Sequence, residues 1–219
     1  MTTLSIIVTD SGPLITLAVA DALDALLLPK LPLIVPDMVR FEVIRDLDKP
    51  GARAVADWIR RHEPASVRVA STEVFEEFEI LRSVNPQTRT KDRGEQAAAE
   101  VLTAALAGQD CGAILIFEDS MVRKPNFLLR LPDEVVLTST SEFLFGLQRH
   151  GLIADAAALL AKAVSLRGND VLARHLRSTG ELPAAESWPS QMAGQQATPM
   201  SQTPKRRSAP RGKSGKTST

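Results

Sequence analysis

Tyrosine is missing from this 219-residue chain, and aromatic residues of all kinds make up only 4% of it. Extensive stacking of nucleobases on aromatic side chains is therefore not how this protein would read a nucleic acid. A single cysteine, Cys111, excludes an internal disulfide framework and any zinc site built from several thiolates. The three histidines, His62, His150 and His175, are scattered without the spacing of metal ligands. No apolar stretch reaches membrane-spanning length, and the N-terminus lacks a basic segment followed by a long apolar run. The expectation is a cytoplasmic protein with no membrane partner.

Net charge is missing as well. Lys plus Arg and Asp plus Glu number 26 each. The balance hides an asymmetry, because from Leu182 onward there are six basic residues and one acid, leaving the preceding 181 residues at −5. An acidic body argues against a DNA-coating surface and is compatible with carboxylates gathered around a metal.

What is present is an alternation of β-branched runs and helical patterns. "LSIIVT" (4–9), "LPLIVP" (31–36), "SVRVAS" (66–71), "AILIF" (113–117) and "EVVLT" (134–138) read as strands. Ser11 is expected to cap a helix with Pro13 in its first turn. A short helix at "ALDALLL" and another from Pro36, with Val39 and Val43 on one face, follow. Residues 50–63 form an amphipathic pattern with Ala54, Trp58 and Ile59 on one stripe. A polar helix ends before Pro86, and residues 95–107 form a helix stopped by Gly108. "STSEFLFGLQRHG" supplies caps, a helix and a closing Gly151, and further helices are expected near 152–165 and 168–178. The reading is α/β with a mostly parallel sheet over residues 1–180. Residues 181–219, rich in Pro, Ser, Gln, Gly and basic residues, read as a disordered basic tail. "GKSGKT" (212–217) is not a phosphate loop, since Pro210 stands where that motif needs glycine.

Right-handed crossovers put the strand C-terminal ends on one edge, where open α/β sheets place ligands. Acids gather there. Asp10 follows strand one, and Glu118 and Asp119 follow strand four. Glu95 opens the helix leading to strand four, and Glu42 lies one turn into the helix after strand two. Crowded carboxylates repel, and a hard divalent cation with oxygen ligands resolves the repulsion. Each acid also has an ordinary reading. Asp10 and Asp119 suit helix caps, Glu95 suits a helix first turn, and Glu42 suits a solvated helix face. Ser11 and Thr140 could bond the acids or cap helices.

The quoted segments resemble the PIN domain family. "VTDSGPLITLA" is similar to its first motif, and "VPDMVRFEVIRD" places the second acid at Glu42. "DRGEQAAAEVL" resembles the third and puts its acid at Glu95; "ILIFEDSMVRK" resembles the fourth. "VVLTSTSEFLFGLQRHGLI" is similar to the closing strand and helix of the subgroup with Asp-Ser-Gly-Pro-Leu starts, so the resemblance spans residues 4–178. It implies a three-layer α/β/α fold with a short parallel sheet and Mg²⁺- or Mn²⁺-dependent hydrolysis of RNA. It also implies relatives that act as VapC-like toxins with an inhibitory antitoxin and often dimerise. Asp10, Glu42, Glu95 and Asp119 would be the acids, with Glu118 a second candidate for the fourth, because a pair of aspartates is common where this chain has Glu118-Asp119. Pro125 interrupts what is usually a continuous helix there.

Substrate phosphates would meet basic residues beside these acids: Arg89, Lys91 and Arg93 before Glu95, and Arg123 and Lys124 after Asp119. Ser11 and Thr140 complete the expected substrate-facing set. Two other functions compete. One is a PIN-type module that binds RNA or protein without cutting. The other is a receiver-like phosphoacceptor domain, disfavoured by the apolar approach to Asp10 and the missing Lys after strand five.

Overall fold

A computed structural model describes residues 3–118 and 131–167. Asp119, Arg123, Lys124, Pro125, His175, the helix expected at 168–178 and the basic tail lie outside the described residues.

Five strands form one all-parallel sheet in the order β3-β2-β1-β4-β5. They are β1 (Thr3–Thr9), β2 (Leu33–Pro36), β3 (Val67–Ala70), β4 (Cys111–Phe117) and β5 (Val135–Ser139). Helices cover both faces, giving the expected α/β/α layers. This order differs from the 2-1-3-4-5 of receiver-like folds, which removes that alternative on topology.

The layers follow from strand periodicity, since successive side chains face opposite ways. On one face Ile7, Leu33, Val35, Ile114 and Ile116 join a core with α1 (Ser11–Val19), α3 (Ala52–His62), α6 (Thr140–Arg149) and α7 (Ala156–Arg167). On the other, Val8, Ile34, Ala113 and Leu115 pack on Ala98, Val101 and Leu102 of α5 (Arg93–Leu106). Leu4 and Ile7 share a face although three residues apart, because the β1–β4 register shifts between Leu4 and Ile6.

Several boundaries differ from expectation for local reasons. Asp10, not Ser11, is the N-cap residue of α1, and Pro13 sits in the first turn, where a missing N–H costs no intrahelical bond. "LDALL" (Leu23–Leu27) forms a 3₁₀ helix. α3 buries Ala52, Val55, Trp58 and Ile59, whereas Ala54 is exposed, so the buried stripe passes through Val55. α5 starts at Arg93, two residues before Glu95, from an Asp92 held at φ 61° whose side chain makes no capping bond. Gly108 and Gly151 follow α5 and α6 with φ of 68° and 69°, conformations suited to glycine. Ser139 and Glu142 form a reciprocal capping box at α6.

Helices from both sides of β3 in the chain enclose a small third core. Met38 of α2 (Asp37–Ile44), Phe78 of α4 (Glu73–Val84) and Ala97 of α5 are buried together, with Phe41 and Phe75 against them. Phe41 lies 5.2 Å from Phe78 and 5.7 Å from Phe75, centroid to centroid. Contacts of this kind add roughly 0.5–1.5 kcal/mol each beyond area burial. This core locks α2 against α5, the two helices that carry Glu42 and Glu95.

Candidate active site

β1 lies between β2 and β4, so the strand order reverses at the β1–β4 junction, and a crevice opens beyond their C-terminal ends. The Asp10 amide donates to the Ile116 carbonyl at 3.0 Å, which fixes Asp10 beside the end of β4. Asp10 is 7% exposed, and its side chain makes no capping bond to α1. The cap reading of its carboxylate therefore fails, although the residue occupies the N-cap position.

Three acids meet here. Gly94 marks the meeting point: a Cβ built on it would stand 2.9 Å from Glu42 Oε2 and 3.3 Å from Asp10 Oδ1. The absence of a side chain at Gly94 leaves room for both carboxylates, and Glu95 follows in the same turn of α5. Their proximity registers in Glu42, whose pKa is raised from 4.5 to about 8. Burial is the largest cause, followed by the charges of Asp10 and Glu95; Arg45 and a hydrogen bond with the Ser11 side chain act in the opposite direction. Ser11 thus serves an acid of the site rather than capping α1.

Asp37 and Asp46, the other acids near Glu42 in sequence, are engaged elsewhere. Asp37 accepts from the Met38 amide at 2.8 Å and from the Thr72 amide and hydroxyl at 3.0 and 2.7 Å, tying α2 to the start of α4. Asp46 accepts from the Asp48 amide. Glu100 accepts from the Glu73 and Val74 amides, so α5 caps α4.

Glu118 reaches the same edge and is differently occupied. Thr140 Oγ1 donates to its Oε1 at 2.9 Å, and Arg167 Nη1 donates to its Oε2 at 2.9 Å. Thr140 is the first residue of α6, and the capping role falls to Ser139.

Among the expected phosphate contacts, Arg89 and Lys91 are exposed on the segment before α5. Arg93 is half-buried, with its guanidinium 5.5 Å from the centre of the Phe78 ring. Three features had escaped sequence reasoning: the Phe41-Phe75-Phe78 cluster, the Asp37–Thr72 brace and Arg167. The aromatics at 75 and 78 in a polar helix were the available signal for the first.

The donor chemistry fits a hard cation. Asp10, Glu42 and Glu95 are oxygen donors from three segments, the ligand type that a hard cation takes, and the bare Gly94 lets the Asp10 and Glu42 carboxylates approach one another. Among the described residues, as they stand, no three His, Cys, Asp or Glu side chains are grouped so as to hold a metal ion. Also among them, no helix is long and apolar enough to cross a membrane. In comparisons with known proteins, no family model, no curated protein and no solved structure matches the chain.

Proposed function

We propose that the chain is a divalent-metal-dependent ribonuclease of PIN type, and the toxin of a toxin–antitoxin pair. One observation carries the reading. Asp10, Glu42 and Glu95 meet at the reversal point of a parallel sheet, where burial first and the charges of the other two acids second push Glu42 up to about 8. A divalent cation relieves that crowding and lets all three acids ionise.

Asp10, Glu42 and Glu95 would hold Mg²⁺ or Mn²⁺, with Asp119 as a further acid. When bound, the cation lowers the pKa of water and stabilises charge on a phosphodiester in transition. The protein's own part is geometric. The Phe41-Phe75-Phe78 core fixes α2 and α5 so that Glu42 and Glu95 face Asp10. Ser11 orients the Glu42 carboxyl. Arg89 and Lys91 meet RNA phosphates from solvent, while Arg93, stacked on Phe78, is placed for a shorter reach. With few aromatics, the protein grips backbone more than bases. An antitoxin and a second copy of the chain are the partners this reading implies.

The test is RNA cleavage by the full chain with and without Mn²⁺, comparing wild type with Asp10→Asn and Glu95→Gln. Each substitution is expected to lower the metal-dependent rate on the order of 10²–10³-fold while leaving the fold intact. Cleavage that survives chelation, or variants as active as wild type, overturns the reading. A second reading, a module that binds RNA or protein without cutting, draws on Glu118, whose pairing with Arg167 withdraws one candidate ligand from the cluster. Metal and RNA binding with no cleavage would favour it.

A further inference from the structure

Both carboxylate oxygens of Glu118 are occupied by its own chain, at Thr140 and at Arg167. The Arg167 and Glu118 side chains are only 17% and 11% exposed, so solvent screens the pair weakly. The same Arg167 Nη1 donates to the Gly12 carbonyl at 3.3 Å and to Thr16 Oγ1. Gly12 completes the fit, because a Cβ there would stand 2.9 Å from Glu118 Cβ. One guanidinium therefore joins the last turn of α7, the end of β4 and the first two turns of α1, the helix that Asp10 precedes.

We propose that Arg167 is a positioning residue: it holds Glu118 as a structural bracket rather than a metal ligand and, through Gly12 and Thr16, sets the place of the Asp10 carboxylate. This rests on the metal-centre reading above. The physical argument has two parts. Recruiting Glu118 to a cation would leave the nearly buried Arg167 without its carboxylate, an unfavourable state. A carboxylate ligand must also be held within about 0.5 Å of its working position, which requires its helix to be anchored. Arg167 supplies that anchor two and six residues beyond Asp10.

The experiment measures Mn²⁺ affinity of the full chain by titration calorimetry, alongside thermal melts without metal. Arg167→Met is expected to weaken Mn²⁺ binding roughly 10–100-fold, the usual scale for groups that orient ligands. Arg167→Lys should recover most of the loss. Glu118→Gln should weaken binding less than Arg167→Met, and the double variant should fall no further than the worse single one. In cleavage assays Arg167→Met should raise the Mn²⁺ needed for half-maximal rate and leave KM for RNA unchanged. If Arg167→Met does not melt cooperatively, Arg167→Gln, which keeps a polar side chain but no charge, takes its place under the same criteria. Tighter Mn²⁺ binding by Arg167→Met, or a larger loss in Glu118→Gln than in Arg167→Met, would make Glu118 a ligand and overturn the proposal. Wild type that binds Mn²⁺ with every variant unchanged overturns this proposal alone. Wild type that binds no Mn²⁺ overturns it together with the metal centre.

Discussion

Glu42 and Glu118 flank Asp10 from either side of β1, and the chain treats their charges in opposite ways. Glu118 receives a guanidinium and a hydroxyl from its own chain, on helices that pack beside it. Glu42 receives a hydroxyl from Ser11 and some relief from Arg45, but burial and two neighbouring carboxylates outweigh both, and its pKa rises to about 8. A fold that can neutralise one acid internally leaves the other strained toward its protonated form. The contrast sets a carboxylate satisfied within the fold beside one that burial and like charges push toward its protonated form.

The largest expected effect that breaks this contrast is on the crevice side, in the pH dependence of stability. Glu42 in the folded chain holds its proton up to about 8, against 4.5 when unfolded. Between those values the folded state binds more protons, so stability falls as pH rises. The contribution is fully present below 4.5 and lost above 8, and it amounts to a few kcal/mol at most. Urea unfolding in chelator across this range should show the decline, and Glu42→Gln should flatten it. Adding Mn²⁺ should reverse the slope, because a cation favours the ionised carboxyl. A flat profile for wild type in chelator would remove the strain from the crevice and with it the contrast.

The bracket side predicts a smaller effect of a different kind. A methyl group at Gly12 meets Glu118 Cβ at 2.9 Å, an atom next to the backbone that has little freedom to move. Gly12→Ala gains helix propensity but must displace the end of β4 from α1. We expect a net loss of about 1–2 kcal/mol in unfolding free energy, with no dependence on pH between 4.5 and 8. A gain in stability would mean that the bracket is loose.

Much of this arrangement was legible in the sequence because strands announce themselves. The apolar runs of β1 and β4 end at the acids that leave the sheet, so Asp10 and Glu118 could be placed on one edge without knowing the packing. Glu95 was placed by the helix that it opens, even though that helix begins two residues earlier. What could not be read depends on contacts between distant segments. The rotation of α3 that buries Val55 instead of Ala54 is set by what it packs against, since both residues fit a helical spacing with Trp58 and Ile59. Phe41 and Phe78 come from helices separated by β3, and only their meeting reveals what fixes Glu42 against α5. Arg167 bonds an acid 49 residues earlier and looks, in sequence, like the basic end of an ordinary helix.

Gly94 offers the smallest change and the sharpest separation of the two sides. A methyl group there meets Glu42 Oε2 at 2.9 Å and Asp10 Oδ1 at 3.3 Å. Both are ends of rotatable side chains, so the fold can yield where the bracket cannot. The first turn of α5 also gains from replacing glycine, which offsets the displacement. Unfolding free energy of Gly94→Ala should therefore stay within about 1 kcal/mol of wild type. The two carboxylates must swing away from the point that they share, and Mn²⁺ affinity and cleavage should fall together. Stability kept while metal binding is lost would assign the space above Gly94 to the cation. Undiminished Mn²⁺ binding in a stably folded Gly94→Ala would move the centre elsewhere in the crevice.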